Sequence, residues 1–74
     1  NTTHVESFSE LIEVLNSKKG FVSCFWKENK EDELKIKEET NATLRCYPLE
    51  NTDSEKAVNS DSENGNFAIF SKAY

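Results

Sequence analysis

The sequence is poor in the residues that most often announce a function. Of its 74 residues, two are glycine, one is proline, two are cysteine and one is histidine. Two glycines cannot build a glycine-rich phosphate loop, whose backbone must approach an anion closely. The single histidine, His4, has no nucleophile near it in sequence and reads as an exposed or edge histidine. Two cysteines are too few for the disulfide framework of a small secreted domain. Structural zinc takes four Cys or His ligands, and Cys24, Cys46 and His4 stand at no ligand spacing. Cys24 and Cys46 fall in two different predicted strands, and core thiols are their expected role. Long apolar runs are also missing, so no membrane span is expected. No basic-then-apolar leader is visible, and Asn1 in place of Met suggests a fragment. Asn1-Thr2-Thr3 and Asn41-Ala42-Thr43 match the glycosylation sequon but read as incidental, with free cytosolic thiols the default.

What is present is charge and aromatic area. Charged residues make up 31% of the chain, with a net charge of −5. Affinity for phosphate comes mainly from Lys and Arg, so this balance disfavours a stand-alone nucleic-acid binder. Hydrophobic residues reach only 35%, but five Phe, two Tyr and one Trp concentrate that area. The length allows one domain, residues 1–74, that buries only roughly 60% of its unfolded surface.

Residues 2–6 form a weak strand, predicted to be an edge. Ser7-Phe8-Ser9-Glu10 fits a capping box, and Phe8, Leu11, Ile12 and Leu15 recur at helical spacing. Lys18 and Lys19 suit a helix C-terminus, and Gly20 suits the left-handed turn after it. Residues 21–26, Phe-Val-Ser-Cys-Phe-Trp, read as a central strand covered on much of both faces. Asn29 is a plausible N-cap for a charged helix over 30–39, with Glu31, Asp32 and Glu33 in its first turn. Its carboxylates read as a solvated face with partners such as Glu31–Lys35 and Glu33–Lys37. Of its two large apolar residues, Leu34 and Ile36, Ile36 is expected to be the better buried. Residues 43–47 form a strand that Pro48 ends or marks as an edge. Residues 49–66 read as a long polar loop, disordered or the remnant of something that needed another constraint. Residues 67–74 form a last strand, again expected to be buried on both faces. The order β-α-β-α-β-β gives an α+β two-layer sandwich, a small mixed sheet with both helices on one face. Its two crossovers are expected to be right-handed.

Several stretches carry a resemblance. Gly20-Phe21, Glu38-Glu39-Thr40, Ala42-Thr43, Arg45-Cys46, Pro48 and the ending Phe70-Ser71-Lys72-Ala73-Tyr74 are similar to the C-terminal domain of prolyl-tRNA synthetases of the archaeal and eukaryotic type. In many members of that family a Cys-x4-Cys turn and a later Cys-x-x-Cys loop hold a zinc ion. Here the first ligand pair falls at Lys27 and Asp32, and the second in the loop around 58–62, which has no cysteine. Cys46 matches a non-ligand position. The resemblance therefore implies a zinc-free variant, with the polar loop as what remains when the metal clip is gone.

The resemblance also implies a parent class II aminoacyl-tRNA synthetase that joins proline to its tRNA using ATP and Mg2+. The parent would be a cytoplasmic homodimer. This chain would bring no catalytic, cofactor or metal residue; its partners would be the catalytic and anticodon-binding domains of the same chain, and tRNA through the parent. In the family this domain packs against the catalytic domain with its terminal Tyr near the active site, a role that falls here on Tyr74. The other reading is a small RNA-binding module of the translation apparatus, for which Lys18, Lys19, Lys27, Lys30 and Arg45 would have to gather into a patch.

Overall fold

The computed structural model describes residues 2–17 and 20–72. Its elements are β1 (Thr2–His4), α1 (Phe8–Ser17), β2 (Phe21–Trp26), α2 (Lys30–Thr40), β3 (Ala42–Cys46), β4 (Ser54–Lys56) and β5 (Asn64–Lys72). The sheet order is β1-β2-β5-β3, with β4 also paired to β5. β1 runs parallel to β2, and β5 runs antiparallel to β2, β3 and β4. This is the expected α+β arrangement with one strand added, so the order is β-α-β-α-β-β-β.

The helix boundaries follow local chemistry. Glu10 N–H donates to Ser7 Oγ at 3.1 Å, and Glu10 Oε1 accepts from Glu6 N–H at 3.0 Å. The first satisfies a donor that a helix start leaves open, and the second ties the residue before the Ser7 cap to the first turn. Asn29 caps α2 by accepting from Asp32 N–H at 3.1 Å. α2 ends at Asn41, which adopts a left-handed φ of 62° and donates its N–H to Lys37 O at 2.8 Å. Gly20 takes φ 104° before β2, as the sequence suggested. Lys18 and Lys19 lie outside the described residues.

The core lies between the sheet and the two helices. Leu11 and Leu15 of α1 and Ile36 of α2 are fully buried against Val22, Cys24, Trp26, Ala68 and Phe70. Trp26 is its centre: its ring stacks on Phe8 at 6.1 Å and meets Phe70 edge-on at 4.9 Å. Ile36 is 0% exposed and Leu34 57%, because a single stripe of α2 faces the sheet. Lys35 Nζ sits 5.6 Å over the Phe8 ring, a cation–π contact, in place of the expected pairing with Glu31.

Three expectations are corrected. β2 and β5 are central, but helices cover only one face of the sheet; Phe21, on the other, is 49% exposed. Both parities of these strands are apolar, so alternation alone could not tell a covered face from an open one. Second, Cys46 is exposed, and β5 separates its strand from that of Cys24. The cause is a bulge: Leu44 pairs Phe70, yet Cys46 pairs Ile69, leaving Arg45 as the extra residue. Without it, alternation would aim Cys46 at the core. Third, the segment 49–66 is not loop throughout. β4 lies within it, and β5 begins at Asn64 rather than at Phe67. Its polar residues make turns. Asn51 Oδ1 accepts from Asp53 N–H at 3.0 Å, and Ser60 Oγ accepts from Glu63 N–H at 3.1 Å. Gly65 lets the chain run close to the end of β2: a Cβ there would stand 2.5 Å from the Trp26 carbonyl carbon.

Candidate functional site

Two places in the fold stand out once the core is accounted for. The first is the open face of the sheet. Phe21, Ser23 and Phe25 of β2 point away from the helices and pair with Ser71, Ile69 and Phe67 of β5. Phe25 and Phe67 meet edge-on at 5.6 Å, and the His4 ring stacks on Phe67 at 6.0 Å and meets Phe25 edge-on at 5.8 Å. His4 Nδ1 lies 2.8 Å from Ser23 Oγ, which fixes the ring over the strand. His4 is thus the exposed edge histidine expected, held as part of an aromatic cluster. At the other margin, Arg45 Nε donates to Ser71 Oγ at 2.7 Å and its Nη2 to Lys72 O at 3.2 Å. The bulge at Arg45 gives the side chain this reach.

The electrostatics of this face differ from those of the chain. β1, β2, β3 and β5 carry no Asp or Glu, while Arg45 and Lys72 are on them. Every Asp and Glu of the chain therefore lies on a helix, in a loop or, for Glu55, on β4. Of the five cations proposed as a patch, Lys18 and Lys19 lie outside the described residues. Lys27 is paired with Glu63, Lys30 opens α2, and Arg45 is bound within the sheet. Among the described residues no basic patch is assembled.

The second place is where the resemblance put a zinc site. Lys27, Asp32 and the loop around 58–62 do converge, although 32 residues separate Lys27 from Asn59. What joins them is the Asn59 side chain. Its Oδ1 accepts from Lys27 N–H at 2.9 Å. Its Nδ2 donates to Lys27 O at 2.7 Å and to Asp32 Oδ2 at 3.0 Å. Val58 N–H donates to Phe25 O at 2.9 Å, continuing the seam, and Lys27 Nζ lies 3.3 Å from Glu63 Oε2. These residues do not fit a zinc ion. An ammonium group stands at one ligand position, the Asp32 carboxylate is engaged by an amide, and the loop offers Val58, Ser60 and Ser62 rather than thiolates or imidazoles. Among the described residues no group of three or more His, Cys, Asp or Glu side chains is arranged to hold a metal. Sequence reasoning located this junction and missed Asn59, since one Asn in a polar stretch carries no signal of its own.

Of the two thiols, burial pushes Cys24 up to about 12, so it stays protonated and inert. Burial, with Glu28 and Glu33 nearby, also raises the Tyr47 phenol. Tyr74 lies outside the described residues.

Comparison with known proteins agrees with this geometry. Residues 8–74 match the family model described as prolyl-tRNA synthetase, C-terminal. A proline–tRNA ligase of Rubrobacter xylanophilus is 38% identical over 74 residues, all of this chain and 15% of that protein. Proline–tRNA ligase 2 of Clostridioides difficile is 40% identical over 75 residues, all of this chain and 16% of that protein. The chain thus spans about one sixth of the length of these relatives. Among solved structures, a Giardia lamblia prolyl-tRNA synthetase in complex with prolyl-adenylate shares the fold at TM-score 0.81 and 20% identity, over 99% of this chain and 16% of that one. With sheet, signature segments and family model in agreement over nearly its whole length, the chain belongs to the prolyl-tRNA synthetase C-terminal domain family.

Proposed function

We propose that this chain is the structural, docking C-terminal domain of a proline–tRNA ligase and that it packs against the rest of that enzyme through its open sheet face. The observation that carries the reading is an aromatic sheet face, with Phe21 half-exposed beside the Phe25–Phe67–His4 cluster, on a chain that spans 15% of a ligase relative. Interfaces between domains of one chain are modest, about 600–1,500 Å². Tethering supplies a high effective concentration, so a small patch suffices. Phe21 and the Phe25–Phe67–His4 cluster would provide the apolar area, and Arg45 a donor at the margin. The parent would join proline to tRNA using ATP and Mg2+, as a cytoplasmic homodimer, with proline, ATP and anticodon contacts in its other domains. The chain itself contributes no catalytic, cofactor or metal residue. Tyr74 would reach toward the active site.

The test uses the full-length ligase that carries this chain. Phe21→Asp sits on the open face and outside the buried cluster. It should leave the thermal midpoint near wild type while lowering kcat/KM for prolyl-tRNA formation about tenfold, an apparent loss of ~1.4 kcal/mol. Wild-type kinetics in that variant would remove the docking face. Deleting Tyr74 should also lower aminoacylation, and unchanged kinetics there would remove the terminal residue's role while leaving the face in place. A full-length protein that forms no prolyl-tRNA would end the ligase reading itself. Tight, salt-sensitive tRNA binding by this chain alone would favour the RNA-binding module.

A further inference from the structure

We infer that Asn59 is a hydrogen-bonded clip that closes this domain in place of a metal. Its carboxamide has one acceptor and two N–H donors, and the structure uses all three: Oδ1 on Lys27 N–H, and Nδ2 on Lys27 O and on Asp32 Oδ2. It thereby ties three segments at one point: the end of β2, the first turn of α2 and the turn before β5. A zinc ion coordinated from the same three segments would impose the same constraint. A carboxamide does so without losing protons and without any dependence on metal supply.

The surroundings are built to match. Val58 N–H on Phe25 O and Ala57 N–H on Glu63 O, at 2.9 and 3.0 Å, fix the turn on either side of Asn59. Lys27 and Glu63 form an ion pair across it at 3.3 Å. The Asp32 carboxylate receives a charge-assisted bond, the stronger kind. The geometry also makes the amide specific. Asp at 59 would keep the acceptor for Lys27 N–H, lose both donors and set two carboxylates against each other. A site that sought a metal would gain from that same change.

The inference concerns the fold and does not depend on the docking role. It is tested in the full-length protein by hydrogen exchange at the Lys27 and Val58 amides, with metal analysis of the purified sample. The expected results are far less than one equivalent of zinc and exchange unchanged by a chelator such as 1,10-phenanthroline. Asn59→Ala should raise exchange at both amides at least tenfold. Asn59→Asp should match it or exceed it, with no recovery on adding zinc. Should Asn59→Ala fail to fold, Asp32→Asn keeps an acceptor for Nδ2 without the charge and should raise exchange a few fold. Stoichiometric zinc, chelator-sensitive exchange, zinc rescue of Asn59→Asp, or wild-type protection in Asn59→Ala would each overturn it.

Discussion

The two cysteines show how far one residue's surroundings decide its chemistry. Cys24 lies in the core with its thiol pushed up to about 12 from an ordinary 9.0. The folded state holds the neutral form, so its contribution is fully present below pH 9 and is lost as pH rises from 9 toward 12. A single proton gives a slope of about 1.4 kcal/mol per pH unit in that window. Tyr47, also raised, adds to the loss in the same direction. Urea unfolding between pH 7 and 11 should show this decline, and Cys24→Ala should flatten it by about one proton. In the native protein iodoacetamide should modify Cys46, which is exposed, while Cys24 becomes reactive only on unfolding. The sequence could place both residues on strands. It could not separate them, since the bulge that turns Cys46 outward has no marker beyond an unremarkable Leu-Arg-Cys.

Among the elements, the junction from α2 to β3 explains the densest part of the family signature in physical terms. Thr40 is buried at the helix end; its hydroxyl donates to Ile36 O at 2.7 Å and accepts from Ala42 N–H at 3.1 Å. Asn41 turns the chain with its left-handed φ, a conformation Asn tolerates better than most residues. Ala42 is fully buried and Arg45 is the bulge residue. Thr40, Asn41, Ala42 and Arg45 therefore each have a mechanical reason. Thr40→Val keeps the shape and removes both bonds, leaving the Ala42 N–H unpaired in the interior. A loss of about 1–3 kcal/mol is expected, read as a lower urea midpoint at constant m-value. Both helices, β2 and β3 were legible because caps and apolar periodicity are local signals. β4 was not: three exposed residues, Ser-Glu-Lys, form a strand only because β5 offers them an edge. The covered and open faces of the sheet were likewise unreadable, because they depend on where two helices pack.

For the molecule as a whole, β5 is the strand on which the sheet depends. It pairs with β2 along one side, and with β3 and β4 end to end along the other. Among the described residues, only the short β1–β2 pairing stands without it. A chain ending before Asn64 should therefore lack the fold altogether rather than lose one strand. The measurement is the amide dispersion of its NMR spectrum, expected to be collapsed, and a retained native-like spectrum would contradict it. The arrangement has a temporal side. β2 and β3 are made well before β5, and at ~5–20 residues per second the gap amounts to seconds of synthesis. Throughout that interval Phe-Val-Ser-Cys-Phe-Trp is an apolar, β-prone segment without its partner strand, the kind most open to association with another copy. Nascent chains of this domain are thus most exposed to aggregation just before β5 arrives, and holdase chaperones should find them then.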